Sequence, residues 1–206
     1  MVPEKLLFLP GASGNTNFWR PVADLLKSDA QQVHIGWPGF GPTAADPHVN
    51  GIEDLVSLVL KELEVPSAVI GQSMGGVVAI QCALRKPYLV THLVLTATSG
   101  GMDLSKLGAV DWRESFHALN PTFPRWFADY HEDLTEKLET ITIPTLLLWG
   151  DADPISPPLV GERLAALMPK SELHIVHGGT HDLANAMADQ VAPLIRDHLN
   201  IHLPKK

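Results

Sequence analysis

The sequence predicts an α/β protein, a parallel sheet covered by helices on both faces. Three observations predict it. Short β-type runs alternate with stretches of helical periodicity. The β-type runs are apolar and are followed by Gly, Pro, Ser or Asp, as buried parallel strands are. One junction carries Gly71-Gln72-Ser73-Met74-Gly75, a Gly-x-Ser-x-Gly between a strand run and a helix run.

Leu6–Leu9 is the first strand candidate, ending in the turn Pro10-Gly11. Gln32–Ile35 is the second. Ile52, Leu55, Val56, Val59, Leu60 and Leu63 then recur with the spacing of one helix face. Ala68–Gly71 is the third strand, and Met74 to Arg85 the helix it enters. Leu93–Thr96 is the fourth. Thr145–Trp149 and Leu173–Val176 follow, separated by a helix with Val160, Leu164 and Leu167 on one face. Met187, Val191, Leu194 and Ile195, with His198 or Leu199, mark the last helix.

The stretch 100–140 breaks this rhythm, being too long for one crossover helix. It holds Trp112, Phe116, Phe123, Trp126, Phe127 and Tyr130 and reads as a helical lid inserted into a single domain spanning 1–206. The bland reading is a packing subdomain that never meets a ligand. Trp112 and Phe116, four apart, can lie on one helix face, whereas the adjacent Trp126 and Phe127 point about 100° apart and share a cavity only if their turn runs across its mouth. At least one of these pairs is expected to line an apolar pocket above Ser73, which makes the four the candidate substrate-binding residues.

Composition narrows the class. The chain has 206 residues, enough for one domain with a substantial core. Lys and Arg number 15 against 23 Asp and Glu, a formal net charge of -8, which argues against nucleic-acid or anionic-membrane partners. Lys205-Lys206 at the tail is a basic pair only. No run reaches the 18 or so apolar residues that span a bilayer. The apolar run near Met1 is too short for a signal-peptide core. Cys82 is the single cysteine, so no intrachain disulfide can form. These features point to a soluble, cytoplasmic protein; the oligomeric state is left open.

A serine on such a turn needs a base, an orienter for the base, and N–H donors for a developing oxyanion. In an open parallel sheet these come from loops at the C-terminal strand ends. Among ten histidines, His181 stands out, in the glycine-rich loop after the last strand run. A metal pair of His177 and His181 is disfavoured by the two glycines between them. Asp151 and Asp153 both follow the Leu148-Trp149-Gly150 strand end and compete as orienter. The order Ser, Asp, His matches one of three known serine-hydrolase orders. The oxyanion donors are expected to be the N–H of Met74 and one from the loop Pro10 to Gly14. That loop lacks both nucleotide-binding glycine patterns. Cys82 reads as a small core residue.

At this point the chain resembles the α/β-hydrolase superfamily over nearly its whole length. Leu7 to Ala12 resembles the family's oxyanion strand and loop, Phe18-Trp19-Arg20-Pro21 its following helix, and Trp37 to Thr43 its Pro-Gly-x-Gly turn. Gly71 to Gly76 is similar to the elbow, and Gly179-Thr180-His181-Asp182 to the histidine loop. Leu147 to Ile155 resembles the acid-bearing segment, where the aspartate stands before proline; this selects Asp153. The resemblance implies an α/β-hydrolase fold with a Ser73, Asp153, His181 triad, an oxyanion hole at Ala12 and Met74, and no metal or organic cofactor. It implies six strands ordered 2-1-3-4-5-6, trimmed from the family's usual eight. Pro10 departs from the family's usual histidine, which questions how the oxyanion loop is supported. The implied activity is carboxylic ester hydrolysis on a small apolar substrate. Thioester or carbon–carbon hydrolysis, a lyase with Arg113 or Arg125 on a carboxylate, or a triad-retaining binding protein are the alternatives.

Overall fold

Six strands form one sheet in the order β2-β1-β3-β4-β5-β6, all neighbours parallel, in the computed structural model, which describes residues 2–201. Lys205-Lys206 and His202 lie outside the described residues. The strands are β1 (Lys5–Leu9), β2 (Gln31–His34), β3 (Ser67–Gln72), β4 (Val90–Thr96), β5 (Thr145–Gly150) and β6 (Ser171–Val176). Every expected strand is present and the expected order holds. Most boundaries move outward, by up to three residues at Val90, where Val90 and His92 pair across a register shift that skips Thr91; β2 instead ends at His34, one residue before the expected Ile35.

The helices form two layers. The apolar stripes of α2 (Ile52–Glu62), α3 (Met74–Arg85) and α6 (Pro158–Leu167) bury against one face of the sheet, in a core with Leu7, Leu9, Val69, Leu93 and Leu147. On the opposite face α1 (Arg20–Leu26) and α8 (Ala188–His198) cover Leu6, Phe8, Ile70, Val94 and Leu148. Alternate strand residues thus enter opposite cores, as the pleat dictates. Buried Cys82 belongs to the first core, where burial pushes its thiol up to about 12. No helix among the described residues is long and apolar enough to cross a membrane.

The β4–β5 connection is less helical than the sequence suggests. It holds only α4 (Arg113–Leu119) and the single turn α5 (Thr135–Leu138), with α7 (Leu183–Ala186) preceding α8 later in the chain. Its aromatic side chains replace helix length as the source of order. Phe40, fully buried in the turn after β2, takes Phe123, Trp126 and Phe127 edge-on at centroid distances of 5.6, 5.7 and 5.9 Å.

At the opposite end of the sheet from Ser73, His92 on β4 is 4% exposed and meets His198 of α8 edge-to-face at 5.2 Å. His198 Nε2 donates to the Leu93 carbonyl at 3.0 Å, and His92 Nδ1 lies 3.1 Å from Thr91 Oγ1. Burial first, and then repulsion from His198, lower His92 to about 4. Burial also lowers His198, against the pull of Leu93 O and Glu172. Both rings are held neutral, so the unfolded chain binds their protons before the folded one does. Stability is therefore present above about pH 6.5 and falls as pH drops from there towards 4. His92 alone accounts for about 3 kcal/mol across that interval. Urea unfolding at pH 7.5 and 4.5 should show the loss. His92→Gln should flatten the dependence; an unchanged slope would deny His92 the role.

Candidate active site

Ser73 sits between β3 and α3 at φ 52°, ψ -118°, a conformation an L-residue holds only when its surroundings force it. The forcing is visible. Its N–H donates to Thr96 O at 3.0 Å, and its carbonyl accepts from Gly76 N at 3.0 Å and Thr98 Oγ1 at 2.6 Å. Ala97, between those two threonines, is itself at φ 48°, so two bent strand ends brace each other. Two glycines permit the turn: a Cβ on Gly71 would fall 2.5 Å from Gly75 O, and one on Gly75 would fall 2.5 Å from the carbonyl oxygens of Leu9 and Pro10.

The close approach at Gly75 brings the Pro10–Gly14 loop beside the serine. An ideal Cβ on Gly11 would lie 3.1 Å from Ser73 Cβ. Trp19 Nε1 donates to Leu9 O at 3.0 Å and Trp37 Nε1 to Pro10 O at 2.8 Å. Both indoles are buried, so these bonds are shielded from water. They support the loop that Pro10 left in question. Among the described residues, neither Ala12 N–H nor Met74 N–H donates to a side chain or to a turn or loop carbonyl.

The two aspartates after β5 separate cleanly. The Asp153 side chain is fully buried; its Oδ2 lies 2.8 Å from His181 Nδ1, and its Oδ1 accepts from Ile155 N at 2.8 Å and Ser156 N at 3.1 Å. Asp151 instead bonds His177 Nδ1 through Oδ2 at 2.7 Å and Gly178 N through Oδ1 at 2.6 Å, at the surface. Its carboxyl is held below the usual range by His177 and then by Gly178 N. The His177 side chain is 99% exposed, whereas that of His181 is 21% exposed. Gln72, which precedes the serine and is buried, donates from Nε2 to the His181 carbonyl at 3.3 Å, tying the histidine loop to β3.

Ser73, Met74 and His181 line one cavity of about 620 Å³, within the range of small-molecule sites. Val77, Ala97, Met102 and Ile155 supply apolar wall, and the β4–β5 connection supplies Trp112, Phe127 and Tyr130. The chain matches the model of the alpha/beta hydrolase family over residues 6–129.

The chain belongs to the alpha/beta hydrolase family.

Relatives of this alpha/beta hydrolase span several named activities. It is 29% identical to a 2-hydroxy-6-oxononadienedioate/2-hydroxy-6-oxononatrienedioate hydrolase of Cupriavidus pinatubonensis, covering 84% of this chain and 77% of that one. It is 26% identical to a pimeloyl-[acyl-carrier protein] methyl ester esterase of Legionella pneumophila, over 74% of this chain and 77% of that one. Its fold matches the esterase of Exiguobacterium antarcticum with a TM-score of 0.79 at 17% identity, covering 97% and 93% of the two chains.

Of the four aromatic candidates, Trp112 and Phe127 line the cavity, stacked at 4.9 Å. Phe116 and Trp126 do not, which corrects the expectation from spacing. Trp126 is turned onto Phe40. Phe116 is enclosed by Trp112, Phe123 and Phe127 at 5.7, 6.0 and 5.3 Å. Phe40 anchors this cluster from another part of the chain, so spacing within 100–140 cannot show which rings turn inward. Arg113 lines the cavity and also the adjoining surface groove, whereas Arg125 lines only that groove, with His117. Sequence reasoning missed the support roles of Trp19, Trp37, Gln72 and Thr98. The tryptophans carried a signal: a buried indole N–H needs an acceptor, and glycine-turn carbonyls lie nearby.

Proposed function

We propose that this hydrolase cleaves carboxylic esters through an acyl-enzyme on Ser73. The observation that carries this reading is the buried Asp153–His181 hydrogen bond at the cavity that also holds Ser73 on its strained turn. Ser73 Oγ attacks the ester carbonyl while His181 Nε2 takes its proton. Asp153 holds the Nδ1–H and stabilises the imidazolium. The N–H groups of Ala12 and Met74, with the N-terminus of α3, receive the oxyanion. His181 gives the proton to the departing alcohol. It then deprotonates a water that attacks the acyl carbon, and Ser73 regains its proton as the acid leaves. Ser73 Oγ makes no hydrogen bond within 3.5 Å to His181 in this structure. Such bonds commonly close only with substrate in place. No step calls for a metal or organic cofactor, and the single cysteine fits a cytoplasmic setting. The deciding experiment is turnover of an ester series by wild type and Ser73→Ala.

The β4–β5 connection is the lid of this reading, and Trp112 and Phe127 are its contacts with an apolar acyl arm. Full burial of a ring against such an arm is worth about 1.5–3 kcal/mol. Trp112→Ala or Phe127→Ala should therefore lower kcat/KM for octanoate esters by about tenfold or more and for acetate esters far less. Phe116→Ala and Trp126→Ala should lack this chain-length signature. Equal losses on long and short esters would make the connection a stabilising cap only.

Carbon–carbon hydrolysis is the second reading, favoured by the Cupriavidus relative, whose named substrate is a dioate. It would need a cation for the distal carboxylate, and Arg113 is the lining residue of that charge.

A further inference from the structure

Charge is distributed unevenly around the cavity. Asp103, Asp111, Glu132 and Asp133 reach its lining, against one guanidinium, Arg113. Arg113 is already committed: Nη1 lies 3.2 Å from Asp111 Oδ1, Nε donates to Ala128 O at 3.0 Å, and the group sits 5.4 Å from the Trp112 ring centroid. Glu132 is engaged by Lys137 Nζ at 3.0 Å and by Tyr130 and Gln81. Asp103 and Asp133 differ from these two. Among the described residues neither forms an ion pair; Asp103 bonds Ser105 N and Oγ, and Asp133 bonds Thr135 N and Oγ1. Those neutral donors hold both carboxyls below the usual range, so both are anionic at working pH; Lys106 acts on Asp103 only as a weaker, unbonded charge. The cavity that holds Ser73 is thus lined by two carboxylates outside any ion pair, and its one guanidinium is engaged internally.

Resting on the ester-hydrolase reading, we propose that this cavity accepts esters whose acyl arm ends in a neutral or cationic group and rejects those ending in a carboxylate. The physical cause is long-range repulsion from Asp103 and Asp133, with no unengaged guanidinium to offset it. Exposed carboxylates act through a water-like dielectric, where such repulsion is weak and screened by salt, so the expected discrimination is about tenfold in kcat/KM at low salt.

The test compares methyl hexanoate, the monomethyl half-ester of adipic acid, and methyl 6-(trimethylammonio)hexanoate at pH 8, in low salt and in about 1 M NaCl. The half-ester should be about tenfold poorer than methyl hexanoate in low salt, and the cationic ester equal or better. High salt shortens the screening length to about 3 Å and should shrink the gap. Asp103→Asn combined with Asp133→Asn keeps both turn-capping oxygens and should close the gap between the half-ester and methyl hexanoate. Equal rates on all three esters in low salt, or a gap that neither salt nor the double variant alters, would overturn the inference. Calorimetric binding of hexyltrimethylammonium against hexanesulfonate to Ser73→Ala reads the same preference without turnover. If no ester is cleaved, or Ser73→Ala cleaves them all, the ester reading fails. The charge inference then stands on tighter binding of the ammonium and falls on equal binding or a sulfonate preference.

Discussion

Ser73→Ala is expected to lower kcat on a nitrophenyl ester by about 10⁴- to 10⁶-fold, with little change in thermal stability. The size follows from the role: a missing nucleophile leaves only binding and the oxyanion donors to act on the substrate. The small stability effect follows from the geometry. Serine and alanine both carry a Cβ, so the turn at φ 52° is equally strained in both. The bonds that brace it, from Ser73 N to Thr96 and from Thr98 and Gly76 to Ser73 O, are backbone bonds at this residue and survive. A fluorophosphonate should add one mass equivalent, at Ser73, and abolish turnover in parallel. Label on any other serine, or full activity in Ser73→Ala, would end the proposal.

Asp153→Asn is expected to cost about 10⁴-fold in kcat while the fold persists. Asn can still accept from Ile155 N and Ser156 N, the two bonds that hold this carboxylate in place. The amide N–H₂ then faces His181 Nδ1 across the present 2.8 Å contact and donates to it. The ring proton is thereby moved to Nε2, the nitrogen that must accept from Ser73. Asp151→Asn should leave kcat near wild type, since its partner His177 points into solvent and neither residue lines the cavity. Measuring both variants on one ester decides the assignment; the reverse ranking would transfer the orienting role to Asp151.

The legible parts of this molecule are those encoded locally. The face of α2 appears as apolar residues three and four apart, and the first of them, Ile52, is the first residue of the helix. The helix after the elbow runs from Met74 to Arg85 in both readings, because a Gly-x-Ser-x-Gly marks where a strand must stop. The sheet order followed from alternation plus resemblance, since right-handed crossovers leave few ways to lay parallel strands. Asp151 and Asp153 could not be separated by residue chemistry alone. They lie two residues apart, and what divides them is which histidine loop each meets: one reaches Gly178 and His177 at the surface, the other His181 under cover.

By itself, then, the sequence determined the strands, the helical faces and the strand-end loops that carry Ser73, the Asp151 and Asp153 pair and His181, because periodicity and turn chemistry act within a few residues. Only the tertiary structure decided which rings face the cavity, how Trp19 and Trp37 steady the Pro10 loop, and which lining carboxylates stand in ion pairs. Those outcomes depend on contacts between distant segments, such as Phe40 with Trp126 or Trp37 with Pro10. A side chain's direction is set there by the space its neighbours leave, and no local pattern records that space.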